Sequence, residues 1–147
     1  MPASVVGDVK MANSLPDTPP RRVLIVDDEE VICKYLRRAL RKSLGCETSY
    51  CLSGPAALQE LAKSPYSVVA TDLRMPGLDG FALFKWVKKN RPGLEKRILF
   101  TTGDIYEPKT RDFIRQVEFR CISKPFAVDA FVQQVSSLLL EQPAAPV

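Results

Sequence analysis

The sequence contains no histidine. That excludes Ser-His-Asp and Cys-His nucleophilic catalysis, and every proton shuttle built on imidazole. Chemistry in this chain has to run on carboxylates, Lys, Thr, Ser or Cys. Cysteine is scarce as well, at positions 33, 46, 51 and 121, with no C-x-x-C pair among them. Without histidine to complete a ligand set, these thiols argue against structural zinc. Nor do they suggest a disulfide framework in a chain of 147 residues, so a reducing cytoplasm is expected. No apolar run reaches the length of a membrane span, and the N-terminus lacks the apolar core of a signal peptide, so no membrane role is expected. A dominant charge is missing too. The formal net charge of +4 is too modest and dispersed to predict nucleic-acid binding by itself.

What remains is the composition of an ordinary soluble globular protein, 46% apolar and 26% charged, at a length that fits one compact domain. Pro2, Pro16, Pro19 and Pro20 stand among small and polar residues, so residues 1–20 read as a flexible leader with no fold of its own. The folded domain is expected over 21–141, starting at Arg21-Arg22, with 142–147 as a tail.

Beyond the leader, short apolar runs alternate with helical patterns. Val23-Leu24-Ile25-Val26 is a continuous apolar run of strand length, as a central parallel strand buried on both faces requires. Val31, Ile32, Tyr35, Leu36, Ala39 and Leu40 then recur at helical spacing, and Gly45 supplies a stop. A weaker strand is expected near Cys46–Tyr50. Ser53-Gly54-Pro55 starts a helix carrying Ala57, Leu58 and Leu61, with proline tolerated in its first turn. Ser67–Thr71 reads as the third strand, ending at Asp72, and Pro76-Gly77 and Asp79-Gly80 mark an irregular loop. A helix through Phe81, Leu83, Phe84 and Val87 precedes a fourth strand, Ile98–Thr101. Phe113, Ile114 and Val117 fall on a fourth helix, Arg120–Ser123 on a last strand, and Val128, Phe131, Val132, Val135, Leu138 and Leu139 stripe the closing helix. This alternation implies an α/β fold with a parallel sheet, helices on both faces and right-handed crossovers.

In such sheets ligands bind outside the carboxyl ends of the strands. Those ends carry Asp27, Asp28, Glu29 and Glu30 after the first strand, Asp72 after the third, Thr101 on the fourth, and Lys124-Pro125 after the fifth. Taken singly, each has an ordinary explanation: Asp at a strand end is usually a turn former or helix cap, and Thr in a strand is usually a β-former. Placed jointly on one edge, three carboxylates repel by roughly 4 kcal/mol per close pair at an effective dielectric near 20. A hard divalent cation relieves that repulsion, and oxygen-only ligation favours Mg²⁺. Three carboxylates, one lysine and one Mg²⁺ sum to zero charge, which lets the site admit a phosphoryl group. Asp72 is the natural nucleophile, since a carboxylate can attack phosphorus to form an acyl phosphate. Lys124 would hold phosphoryl oxygens, and Thr101 could donate a hydrogen bond to them.

The segments VLIVDDEE, TDLRMPGLDG, LFTTGD and SKPF, in this order and spacing, resemble a two-component response-regulator receiver domain over about residues 21–141. The likeness is to the stand-alone, chemotaxis-regulator type. It implies a flavodoxin-like, doubly wound five-stranded parallel sheet of order 2-1-3-4-5. It further implies that Asp72 is the phosphoacceptor and that Asp27 and Asp28 bind Mg²⁺ together with the backbone carbonyl of Arg74. Thr101 matches the switch hydroxyl and Lys124 the phosphate-binding lysine, and the bond before Pro125 is often cis in such proteins. The implied function is a signalling phosphoacceptor of a phosphorelay rather than an enzyme. Its phosphodonor would be a histidine kinase or histidine phosphotransfer protein, and its output a change in the surface of the last two helices and last strand. With the chain ending soon after the closing helix, that output is expected to be binding to a protein target and not direct DNA binding.

Two positions depart from the family pattern. Cys121 stands where an aromatic commonly follows the switch threonine inward, so another group must report phosphorylation, and Phe119 and Phe126 lie near enough to be considered beside their simpler reading as core aromatics. Thr102 is bulkier than the residue common beside the switch threonine. Lys34, Arg37, Arg38, Arg41 and Lys42 give the first helix a basic outer face, with Cys33 on its outer or boundary part. A solvated face is the ordinary reading, and docking of an acidic partner surface such as a phosphohistidine bundle the sharper one. A haloacid-dehalogenase-type hydrolase would need a second Asp where Arg74 stands, and an FMN phosphate would be repelled by Asp27–Glu30. A receiver-shaped module that is never phosphorylated, and the receiver fragment of a hybrid kinase, are the alternatives kept, although Met1 and the leader favour a complete small protein.

Overall fold

The computed structural model describes residues 21–116 and 120–140. The expected leader and tail, together with Val117 and Phe119, lie outside the described residues.

Among the described residues five strands and five helices alternate: β1 (Arg22–Val26), α1 (Glu30–Leu44), β2 (Glu47–Cys51), α2 (Gly54–Lys63), β3 (Val68–Asp72), α3 (Gly80–Asn90), β4 (Ile98–Thr102), α4 (Pro108–Gln116), β5 (Cys121–Ser123) and α5 (Val128–Leu140). A 3₁₀ turn at Leu94–Arg97, not anticipated from the sequence, leads into β4. The strands form one parallel sheet of order β2-β1-β3-β4-β5, the doubly wound topology expected.

Successive side chains of a strand point to opposite faces, and the core divides accordingly. Leu24 and Val26 of β1 pack with Ala57, Leu61, Leu83, Val87 and Phe113 beneath α2, α3 and α4. Val23 and Ile25 pack with Cys33, Leu36, Leu40, Phe131, Val135 and Leu138 beneath α1 and α5. All four of these β1 residues are buried, as the continuous apolar run required. On the α3–α4 side, Phe81, Phe84 and Phe100 each meet Phe113 or one another at ring separations of 4.8–6.0 Å, mostly edge to face.

Local chemistry sets the helix ends. Gly45 closes α1 in the left-handed conformation at φ 63°, a geometry that favours glycine. Ser53 caps α2 by accepting the Ala56 N–H at 3.2 Å, and Asp79 caps α3 by accepting the Ala82 N–H at 3.0 Å.

On α1 the structure corrects the expectation. Cys33 is fully buried rather than outer or boundary, while Val31 and Tyr35 are 80% and 59% exposed. Apolar residues surround this helix widely enough for two stripes to fit, and the sheet selects Cys33, Leu36 and Leu40. The Cys33 thiol donates to the Asp27 carbonyl oxygen at 3.4 Å, which satisfies it inside the core.

Candidate functional site

The strand order brings the carboxyl ends of β1 and β3 side by side at the centre of the sheet, with Val26 opposite Thr71. Asp27 follows β1 directly. Its N–H bonds the Cys51 carbonyl oxygen at 3.2 Å, and its Oδ1 accepts the Glu29 N–H at 2.9 Å, so both the backbone and the buried side chain are held. Asp28 is exposed at the rim.

Asp72 ends β3 in register with Thr101 of β4. The Leu73 N–H donates to the Thr101 carbonyl oxygen at 2.9 Å, and the Gly80 N–H to the Leu73 carbonyl oxygen at 3.0 Å, which folds the loop of 73–79 back onto the strand end. The N–H of Arg74 donates to Asp72 Oδ1 at 3.2 Å. Space there is tight: a Cβ on Gly80 would lie 2.8 Å from the Asp72 carbonyl oxygen.

Lys124 arrives from just past β5. Its N–H donates to the Thr102 carbonyl oxygen at 2.7 Å, and the Lys124-Pro125 bond is cis. Its ammonium donates to Asp27 Oδ2 at 3.0 Å and to Asp72 Oδ2 at 3.1 Å. One lysine therefore bridges two carboxylates from two strands. Asp28 joins them: ligand oxygens of Asp27, Asp28 and Asp72 all lie within 4.8 Å of one another.

The electrostatics follow from this crowding. Burial pushes the Asp72 carboxyl above the usual aspartate range, and the Asp27 charge adds to the push, while Lys124 and the Arg74 N–H act against it without cancelling it. For Lys124, burial works against the ammonium, but hydrogen bonds and charge from Asp27 and Asp72 outweigh that and raise its pKa. The Asp72 shift is chiefly the cost of burying its charge, and the Lys124 shift reflects the two carboxylates that share it.

The sequence-predicted residues thus come together on one edge: Asp27, Asp28, Asp72 and Lys124 in mutual reach, and buried Thr101 on the strand beside Asp72. Arg74 lies on the exposed loop that follows Asp72. Glu29 and Glu30 stand apart: Glu30 accepts the Tyr50 hydroxyl at 2.7 Å instead. Thr102 turns its hydroxyl to the Asp104 N–H at 3.1 Å. Phe126 stacks on Phe131 at 5.6 Å in the α1–α5 layer, which fits its reading as a core aromatic. The residue that the sequence reading missed is Glu107, which ion-pairs with Arg74 and accepts the Thr110 N–H at 2.9 Å. Its only sequence signal is a carboxylate just ahead of a helix start.

The model of the response regulator receiver domain matches residues 23–136. The chain belongs to that family. Among curated receivers, the response regulator receiver protein CpdR of Brucella abortus (strain 2308) is 28% identical over 82% of this chain and 98% of its own length. The DNA-binding transcriptional regulator NtrC of Escherichia coli (strain K12) is 35% identical over 82% of this chain, which spans only 26% of NtrC. The chain therefore covers nearly all of one relative and about a quarter of the other. The receiver domain of the Francisella response regulator 1452 superposes with a TM-score of 0.71 over 83% of this chain and 97% of its own. At 23% identity that likeness concerns the fold alone.

Receiver domains are signalling phosphoacceptors that take phosphate from histidine kinases, and they bind Mg²⁺ at an acidic pocket. The Asp27, Asp28 and Asp72 oxygens of this receiver offer such a pocket, and a donor set of carboxylates alone suits that hard cation. Among the described residues no helix is long and apolar enough to cross a membrane.

Proposed function

We propose that this receiver is a phosphoacceptor of a two-component phosphorelay, with Asp72 as the residue that carries the phosphoryl group. The observation behind this reading is the shared lysine: Lys124 reaches Asp27 and Asp72 at 3.0 and 3.1 Å, with Asp28 in the same cluster. An ammonium held there already marks where phosphoryl oxygens would be received.

In the transfer, an Asp72 carboxylate oxygen forms a bond to phosphorus while the donor's bond to that phosphorus breaks. The leaving atom, a ring nitrogen if the donor is a phosphohistidine, keeps the electron pair. The Asp72 carboxylate gives up its charge as the new bond forms, the leaving nitrogen takes up that charge with the electron pair, and the phosphoryl oxygens bring their own charge to Lys124 and the Thr101 hydroxyl. Asp27, Asp28, Asp72 and the Arg74 carbonyl would hold Mg²⁺, which supplies positive charge against the incoming phosphoryl group. The same groups would assist the later loss of the phosphoryl group to water, so the protein acts on itself rather than on a turnover substrate.

The donor, a histidine kinase or histidine phosphotransfer protein, would approach over α1. There Ile32, Tyr35 and Leu36 line an open groove of about 390 Å³ with Pro125, Phe126 and Val128, beside Lys124. Among the described residues none of Lys34, Arg37, Arg38, Arg41 and Lys42 of α1 pairs with a carboxylate. Five cations against one acid give α1 a net charge of +4, which suits the acidic face of a partner. Residues 21–141 are taken as the working unit, in a reducing cytoplasm that suits its free cysteines.

Intact mass spectrometry after incubation with Mg²⁺ and acetyl phosphate tests the reading. A single phosphoryl adduct is expected, lost with EDTA and absent from Asp72→Asn. A folded protein that takes no adduct from any donor would leave a receiver-shaped binding module.

A further inference from the structure

Cys121, half-buried at the start of β5, has no ring with which to follow Thr101, so the phosphorylated state needs another route to α4. The structure holds one in the loop that follows Asp72. Arg74 is tied to Asp72 by its backbone N–H at 3.2 Å, and its guanidinium forms an ion pair with Glu107 just ahead of α4. Glu107 in turn accepts the Thr110 N–H at 2.9 Å through its side chain and the Arg111 N–H at 2.9 Å through its carbonyl oxygen. It is thus the residue that organises the first turn of α4. The guanidinium of Arg74 also sits 5.6 Å from the centre of the Phe81 ring, and Lys109 of α4 lies 4.6 Å from that ring. Phe81 meets Phe113 of α4 edge-on at 4.8 Å. The Arg74–Glu107 pair thus joins the phosphoacceptor loop to the start of α4, and Phe81 of α3 packs against both sides of that junction.

We propose that the Arg74–Glu107 ion pair is an autoinhibitory clasp that holds the N-terminus of α4 in the unphosphorylated receiver and is released by phosphorylation of Asp72. The proposal rests on the phosphoacceptor reading for its trigger. Acylation removes charge from the Asp72 oxygen that accepts the Arg74 N–H, and places about −1.5 to −2 charge with three strong acceptor oxygens beside the loop. Lys124 is already shared by Asp27 and Asp72, and Arg74 is the next cation along the strand end. Drawn toward the phosphoryl group, its guanidinium leaves Glu107 with only the helix amides. The first turn of α4 then opens more often, which is a change in surface of the kind a downstream partner can select.

Glu107→Gln separates the clasp from the cap, because a glutamine oxygen can still accept the Thr110 N–H while the charge is gone. Amide hydrogen exchange at Thr110 and Arg111 is the readout, with the amides of α5 as the control for an intact fold. In the wild type, phosphorylation is expected to speed exchange at these two amides about two- to five-fold, the scale of an ion pair partly open to water. Unphosphorylated Glu107→Gln is expected to exchange at that faster rate already, and its phosphorylation, at an unchanged adduct yield, to add no more. A Glu107→Gln protein that exchanges at the wild-type rate would overturn the clasp, as would a wild-type adduct that leaves these amides unmoved. If Asp72 takes no adduct, the trigger falls with the phosphoacceptor reading, while the comparison of the two unphosphorylated proteins still decides the clasp.

Discussion

The ammonium of Lys124 donates to the carboxylate of Asp72 at 3.1 Å across 52 residues of chain. It bonds Asp27 at nearly the same distance, 3.0 Å, so a single cation screens two carboxylates from each other. Lys124→Met removes that screen and leaves Asp27 and Asp72, both buried, without their charged partner. A loss of about 1–3 kcal/mol is expected without divalent cations, because a stranded buried charge costs more than the pair contributed. Mg²⁺ should restore part of it, so the gap between the two proteins in urea denaturation narrows as the cation is added. An equal gap with and without Mg²⁺ would contradict this account of the pocket.

The raised pKa of Asp72 gives stability a defined pH dependence. Burial and the Asp27 charge disfavour its ionised form in the folded state, so folding binds a proton more readily there than the unfolded chain does at its ordinary value of 3.8. The contribution is full below that value and is lost as pH rises through the higher folded pKa. Asp72→Asn cannot ionise and lacks this loss. With EDTA present, the variant should match the wild type in acid and become the more stable protein as pH rises toward neutrality. Thermal melts of both proteins across pH 3.5–7 check the sign. A wild type that gains on the variant with rising pH would refute it.

Most of this architecture is legible in the residues themselves. The run from Val23 to Val26 can be satisfied only where both faces are covered, and that is where β1 lies. Asp27, Asp72 and Lys124 are legible because the alternation of strands and helices sends every strand's carboxyl end to one edge. What the residues conceal is rotation about a helix axis and side-chain reach. Val31 and Tyr35 share the helical spacing of Leu36, yet they face away, and the small thiol of Cys33 fills the inner face. Glu107 is concealed for a different reason, since nothing in its neighbourhood says that Arg74 will come to it from another loop. Long-range ion pairs leave no local pattern.

Gly80, the first residue of α3, packs directly on the strand end that carries Asp72. A Cβ there would sit 2.8 Å from the Asp72 carbonyl oxygen and 2.9 Å from the Leu73 Cα, and both are backbone atoms that cannot turn aside. Gly80→Ala therefore has to push the strand end away from α3. A cost of about 1–3 kcal/mol is expected, as for other overpacked sites, together with slower phosphorylation because Asp72 itself is displaced. Urea midpoints and the rate of adduct formation measure the two effects. Wild-type values for both would show that the loop yields where these distances say it cannot.

The cysteines test the corrected rotation of α1. Burial pushes the Cys33 thiol up to about 12, with the Asp27 charge adding to it, and burial alone pushes Cys121 up to about 11. A thiolate is the species that alkylating reagents consume, and at pH 8 neither group supplies a useful fraction of it. In the native protein both should stay unmodified by iodoacetamide over the time in which an unfolded chain labels completely, as peptide mass mapping would show. Rapid labelling of Cys33 in the folded state would return it to the outer face of α1.

Asp28 separates metal binding from folding better than its neighbours do. It is exposed, whereas Asp27 and Asp72 are buried and bound to Lys124, so Asp28→Asn should leave the cation-free protein about as stable as the wild type. Its oxygen belongs to the cluster within 4.8 Å, so its loss removes a third of the carboxylate set that would hold Mg²⁺. A ligand that binds only the folded state raises stability in proportion to the logarithm of its concentration over its dissociation constant. The melting temperature of the wild type should therefore climb as Mg²⁺ is added. The curve for Asp28→Asn should begin at the same point and need roughly ten-fold or more Mg²⁺ for the same rise. Superimposed curves would place the cation elsewhere. A variant already unstable without Mg²⁺ would mean that Asp28 supports the fold, which its exposure argues against.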